Sequence, residues 1–311
     1  MGQPINDAEV FDFSSRKWSA IHNMPTKRAA SKAAIVREGK IIIIGGVTEK
    51  QVPLKTVDCY NIQSNVWEAF PPLPVGVTGP YVELIDDKIY CIGGTDKKGP
   101  KGKIASNQSV VFDFDKRQWL PLPAKPTPCY ACGGYYYDRK LFIIGGRDGP
   151  DPVQAVESFD LDTKQWEKLA PMNAVRVFYS VVGIEDEIYV IGGLVPMVGI
   201  CKIVEKYSIH EDMWARIKDL AEIRSDSASG IVGNRVVVAG GLGSDKLKAM
   251  STGECIGYRG KRFTKLPETS KERSSVSFVN FEGKLAILNG VGDGGPQKML
   301  EVLSAKKDKS V

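Results

Sequence analysis

Histidine is nearly missing from this chain: His22 and His210 are the two copies in 311 residues. That scarcity argues against a copper or zinc centre built from imidazoles, and against acid–base catalysis that leans on histidine. Long apolar stretches are also missing. Runs such as Ile41 to Ile44 are strand-sized, far short of the ~18 residues a membrane-spanning helix needs. The opening MGQPINDAEV has no basic stretch followed by an apolar one, so no secretory signal is expected. Asn6 stands where N-myristoylation wants Ser or Thr. Six cysteines in a chain of this length make no disulfide framework, and a reduced, cytoplasmic protein is expected. Net charge is only +5, with the basic residues scattered, which speaks against nucleic acid as a partner. The one basic cluster noted is Lys306, Lys307 and Lys309, in a tail over 305–311 that reads as disordered. No Walker sequence, no Gly-x-Ser-x-Gly and no helix-opening Gly-x-Gly-x-x-Gly occurs.

A repeat is present instead. An apolar run closes on a glycine pair at Gly45-Gly46, Gly93-Gly94, Gly145-Gly146, Gly192-Gly193 and Gly240-Gly241, and a sixth copy ends in Asn289-Gly290. Successive copies are 48, 52, 47, 48 and 49 residues apart. An aromatic residue precedes each pair by 26 or 27 positions: Trp18, Trp67, Trp119, Trp166, Trp214 and Phe263. All five tryptophans fall in that slot. Within a period the pattern gives four strands. FYSVVGIED ends in an acidic turn, and EIYVIGG is continuously apolar. AVESFDLD alternates and so predicts a half-buried strand, and KQWEKLAPM ends at proline. No segment carries helical periodicity. Four strands repeated about every 50 residues predict the blades of an all-β propeller. Blades are expected near 24–70, 73–122, 125–169, 172–217, 220–266 and 269–304, with 8–21 a partial N-terminal blade, all in one domain over 1–304.

An apolar strand, Gly-Gly, then Tyr/Phe-Asp/Asn and a tryptophan about six residues later resembles the kelch-repeat family, and the resemblance covers 8–303. The stretches QVPLKTVDCYNIQSNVW, KPTPCYACGG, LFIIGGRDG and RVVVAGGLG are similar to the kelch-domain-containing protein 8 group. The family implies blades of four antiparallel strands. Third strands number seven, AEVFDF through MLEVLS, against six of every other kind, so six or seven blades remain open. The narrower resemblance favours seven-bladed ancestry with incomplete terminal blades, and implies a missing first stretch on the order of 40 residues.

Four loops entering a first strand carry arginine: Arg28, Arg176, Arg224 and Arg273, while Val77 and Cys129 fill the slot elsewhere. In kelch adaptors of this kind the resemblance puts that loop and the one after Gly-Gly on one face, where Arg147 would join them. Guanidinium groups converging there would suit capture of an acidic or phosphorylated segment. The other reading is that these arginines hold neighbouring blades together. Cys129-Tyr130-Ala131-Cys132 is a lone CxxC without a second ligand pair, so packing cysteines are expected and no metal or cofactor is assigned. Asp86-Asp87 and Glu185-Asp186-Glu187 recur in tight turns, where turn chemistry explains them. The expected function is a non-catalytic protein-interaction scaffold, with a ubiquitin-ligase or cytoskeletal component as partner and neither nucleic acid nor membrane. A sugar-processing propeller enzyme and an actin-binding protein are the alternatives.

Overall fold

The computed structural model describes residues 4–304 except 13, 16, 38, 100–101, 244–246, 282–283, 293 and 297–298. The basic tail with Lys306, Lys307 and Lys309 lies outside the described residues. Every regular element among the described residues is a strand, so the chain is all-β.

Chain order is also sheet order. A hairpin of Glu9–Asp12 and Lys17–Ala20 comes first. Five antiparallel four-stranded sheets follow. The first joins Lys32–Arg37, Lys40–Ile44, Val57–Asn61 and Val66–Phe70. The second joins Tyr81–Ile85, Lys88–Ile92, Ser109–Asp113 and Gln118–Pro121. The third joins Gly133–Tyr137, Lys140–Ile144, Val156–Asp160 and Trp166–Leu169. The fourth joins Ser180–Ile184, Glu187–Ile191, Val204–Ser208 and Met213–Arg216. The fifth joins Ala228–Val232, Arg235–Ala239, Gly253–Gly257 and Thr264–Lys265. A last sheet has three strands, Ser277–Phe281, Lys284–Leu288 and Leu300–Ser304. Sheets of four antiparallel strands repeated along the chain are the blades of a β-propeller.

Two compact units divide it: 1–132 with 146–153 and 159–167, and 133–145 with 154–158 and 168–311. In the first unit the core is Ile42, Ile44, Val57, Leu73, Ile89, Phe112 and Trp119. In the second, Val182, Tyr189, Ile191, Val204, Val236 and Val238 form one cluster. Second strands are largely buried, and Glu187–Ile191 is buried from end to end, because sheets cover both of their faces. The third strand was expected to be half-buried and is not. Val156, Glu157, Ser158 and Phe159 are all buried. The sequence alternates between apolar and polar, but both faces are covered, and the polar positions sit inside.

The repeated glycines have separate reasons. Gly45 and Gly46 both lie at positive φ, 60° and 105°, a conformation costly for any side chain. A Cβ on the first glycine would also strike a carbonyl of the next repeat: Val77 O at 2.5 Å for Gly45, Arg224 O at 2.3 Å for Gly192. The second glycine's N–H donates to that same carbonyl, as in Gly46 to Val77 at 2.8 Å and Gly193 to Arg224 at 2.8 Å. Neighbouring repeats are therefore joined backbone to backbone, leaving no room for a side chain. Tryptophan makes the other joint. Its indole N–H donates to the carbonyl four residues past the preceding repeat's aromatic: Trp67 to His22 (2.6 Å), Trp119 to Pro71 (2.9 Å), Trp166 to Pro123 (2.8 Å) and Trp214 to Ala170 (2.8 Å).

Candidate functional site

The four loop arginines do not form an exposed face. Arg28, Arg176, Arg224 and Arg273 are 3%, 0%, 0% and 1% exposed. In each, Nη1 donates to the carbonyl of the residue opening the Gly-Gly or Asn-Gly pair: Gly45 at 2.7 Å, Gly192 at 2.9 Å, Gly240 at 2.9 Å and Asn289 at 3.5 Å. Each Nη2 meets the acid at the second position of its own third strand. The pairs are Arg28 with Asp58, Arg176 with Glu205 (2.8 Å), Arg224 with Glu254 (3.3 Å) and Arg273 with Glu301. Burial pulls the guanidinium pKa of Arg28, Arg224 and Arg273 below its ordinary value, with the acid opposing the shift for Arg28 and Arg224. This corrects the reading of an exposed binding face. Each side chain is buried and braces its own repeat, while the backbone carbonyls of Arg224 and Arg273 accept from Gly193 and Gly241 of the preceding repeat, so the joint between repeats runs through the main chain.

Two repeats lack the arginine, and one of them lacks the acid as well. In that one Val77 stands in the arginine slot, and Val110 takes the second position of the third strand, where the acid would be. Both are buried. There cation and anion disappear together, whereas the Cys129 repeat keeps a buried acid, Glu157, at the second position of its third strand. Cys129 fills the slot in the following repeat and is buried, as are all six cysteines, which are free thiols. Burial pushes the Cys91 thiol up to about 12, which makes it inert at neutral pH.

Arg147 differs from the other four. It is half-buried, on a short hairpin of Arg147–Asp148 and Asp151–Pro152. Its backbone bridges Tyr130, and its guanidinium carbon lies 6.0 Å from the centre of that ring. Next to it runs a second hairpin, Thr95–Gly99 with Gly102–Ala105, where Ala105 N–H donates to Asp148 Oδ1 at 3.2 Å. That hairpin carries Lys97, Lys98 and Lys103, with Lys101 between them in sequence. Sequence reasoning missed it by treating the cations as scattered. Four lysines within seven residues after a Gly-Gly pair were the available signal.

The acidic turns divide into two kinds. Asp86 and Asp87 hold positive φ, 47° and 54°, as turn residues. Asp186 does more. It accepts from Tyr258 OH and lies 3.6 Å from Arg259 Nη2 and 3.9 Å from His210 Nε2. The Tyr258 bond leads in holding its carboxyl below the usual range. Asp186 and Arg259 edge a cleft of about 430 Å3 with Glu187, Lys206 and Trp214. Glu187 is paired there with Lys206 and accepts from Tyr189 OH at 2.7 Å. His22 is exposed, its Nδ1 2.6 Å from Asn65 O. Among the described residues no group of three or more His, Cys, Asp or Glu could hold a metal ion. No helix among them is long and apolar enough to cross a membrane.

Repeated sheets, glycine joints and buried Arg–acid braces define a propeller of the kelch class. The sequence matches the KLHDC2/KLHL20/DRC7 Kelch-repeats domain over 1–193 and 79–290, and the chain belongs to that kelch-repeat family. It is similar to Kelch-like protein 41b of Danio rerio, 24% identical over 73% of this chain and 38% of the relative. Kelch-like protein 25 of Xenopus tropicalis is 26% identical over 68% of this chain and 36% of its own length. Kelch repeat and BTB domain-containing protein 1 of vaccinia virus (strain Copenhagen) is 22% identical over 81% of this chain and 44% of its own length. The chain therefore spans less than half the length of these relatives. The solved structure of YjhT shares its fold, with a TM-score of 0.71, 17% identity, and coverage of 92% of this chain and 97% of that one.

Proposed function

We propose that this chain is a non-catalytic protein-interaction scaffold, working in the cytoplasm, that takes an acidic or phosphorylated partner segment on the loops following its Gly-Gly pairs. The observation that carries this reading is the pair of adjoining hairpins, one bearing Arg147 and the other Lys97, Lys98 and Lys103. Cations on adjoining hairpins suit capture of carboxylate or phosphate. Membership in the kelch-repeat family supports an interaction role, and the stretches QVPLKTVDCYNIQSNVW and KPTPCYACGG support a place beside the kelch-domain-containing protein 8 group.

The test uses glutamate-rich and phosphoserine peptides in fluorescence anisotropy. Binding should weaken with salt. It should fall at least tenfold when Arg147, Lys97, Lys98 and Lys103 become alanine. Unchanged binding by that variant would refute the reading, and cosedimentation with actin filaments would favour a cytoskeletal partner instead. A second reading, a sugar-processing enzyme, draws on one group. Glu83 accepts from Tyr81 OH at 2.7 Å, and burial raises its carboxyl pKa, as a general acid requires. Sugar turnover that disappears in Glu83→Gln would support it.

A further inference from the structure

Most non-glycine residues at positive φ in this molecule are small or polar turn formers. Among the described residues three are large and apolar: Phe178 at 55°, Met197 at 65° and Leu247 at 51°. That conformation is costly for a large side chain. All three are also exposed, by 52%, 105% and 56%. Neither backbone preference nor burial accounts for them, and backbone outliers of this kind concentrate where a chain meets a ligand.

The main chain brings the three together within the second compact unit. Met197 lies at the tip of the hairpin of Leu194–Val195 and Gly199–Ile200. Val177 exchanges two backbone bonds with Leu194, at 2.9 and 2.7 Å, which sets Phe178 beside that hairpin. Phe178 O accepts from Asp226 N–H at 2.9 Å. Ser225 in turn exchanges two bonds with Leu242, at 2.9 and 2.7 Å. Leu242 opens the hairpin of Leu242–Gly243 and Lys248–Ala249, which carries Leu247. Neighbouring segments in such a ladder lie about 5 Å apart, so the row spans roughly 15 Å.

The Met197 hairpin has no polar side chain from Leu194 to Ile200. Counterpart hairpins carry charge, as with Arg147 and Asp148 in one and Lys248 in another. Pro196, Met197 and Val198 are exposed, Val198 by 80%. The backbone is paired within the hairpin, Leu194 with Ile200 and Val195 with Gly199. Val198 N–H donates to Val195 O at 3.1 Å, and Pro196 has no N–H. Protruding apolar tips on a self-paired backbone suit a fluid apolar medium that closes around them, whereas a protein partner would need a pocket for each tip. Three extended steps from Leu194 to Met197 reach ~10 Å, which matches the ~5–10 Å depth at which interfacial elements settle. Lysines flank the tips: Lys202 and Lys248 are exposed, and Lys246 precedes Leu247 in sequence. Their charges complement acidic headgroups while the tips enter the acyl boundary. We infer that Phe178, Met197, Val198 and Leu247 insert into the surface of a bilayer that carries anionic lipid. That contact needs no spanning segment, and it stands or falls independently of the hairpin that bears Arg147.

The test is cosedimentation of the full chain with sucrose-loaded vesicles of phosphatidylcholine and phosphatidylserine at about 3:1. Saturable binding that weakens with salt is expected. Met197→Asp combined with Val198→Asp should weaken it roughly tenfold or more. Phe178→Gly should weaken it roughly threefold or more while its melting midpoint rises, a combination that a purely structural role does not give. All six native cysteines are buried, so Met197→Cys takes an environment-sensitive fluorophore at that position, and its emission should shift to the blue on vesicles. No sedimentation at millimolar accessible lipid would overturn the inference. So would unchanged binding by the folded aspartate variant, or a label that stays in water on vesicles that the protein binds. Self-association of the chain that the aspartate variant abolishes, without vesicle binding, would assign the tips to a second copy and would also overturn it.

Discussion

Replacing Arg176 with alanine removes four hydrogen bonds from a fully buried position. They run to the carbonyls of Gly192 (2.9 Å), Ile203 (2.7 Å) and Val190 (3.2 Å) and to Glu205 Oε2 (2.8 Å). The carboxylate left behind is buried as well, its side chain 2% exposed. Breaking a buried pair from one side costs about 3–5 kcal/mol. Folded domains are stable by ~5–15 kcal/mol, so a fifth or more of the total is at stake. At ~2 °C per kcal/mol for a protein of this size, the melting midpoint should fall by about 6–10 °C. The double variant Arg176→Val, Glu205→Val copies the native arrangement of Val77 and Val110 and removes the stranded charge. It should recover at least half of the loss, because an ion pair exchanged for apolar residues is close to neutral. Urea unfolding followed by tryptophan fluorescence measures both. A single variant that loses less than about 1 kcal/mol, or a double no more stable than the single, would refute the assignment of these arginines as internal braces.

Gly192→Ala should destabilise by about 3 kcal/mol, since the residue holds φ +62° and its Cβ would meet Arg224 O at 2.3 Å; urea midpoints give the value. Phe178→Gly should stabilise by about 1 kcal/mol. Phe178 holds φ 55° where other repeats place Ala30, Gly79, Ala131, Asp226 or Ser275, and the melting midpoint reads the gain. For Glu83, burial raises the folded carboxyl above its ordinary value of 4.5. The folded state then holds its proton more tightly than the unfolded one. The resulting stability is complete below pH 4.5 and declines as pH climbs through the raised value. Glu83→Gln should therefore match the parent near pH 4 and exceed it at pH 7, as measured by urea unfolding at the two pH values.

Much of this architecture could be read along the chain, because the repeat itself is local. Glycine pairs at near-constant spacing mark the ends of second strands, and the tryptophans mark fourth strands. Both signals come from backbone and side-chain constraints that recur in every copy. The arginines showed the limit of such reading. A basic residue entering each first strand looks the same in sequence whether it points to solvent or folds back on its own sheet. The acids that decide the matter, Asp58, Glu205, Glu254 and Glu301, lie 28 to 30 residues further on. Likewise the alternation in AVESFDLD suggested one solvent face, yet both faces of Val156–Asp160 are covered.

The sequence alone determined the all-β class, the period, the strand order within each repeat and the family resemblance, since each depends on residues close together in the chain. Tertiary structure alone decided which charges are buried and paired and which hairpins stand side by side. Those outcomes depend on contacts between residues far apart in sequence, and on how completely neighbouring sheets exclude water from the groups between them.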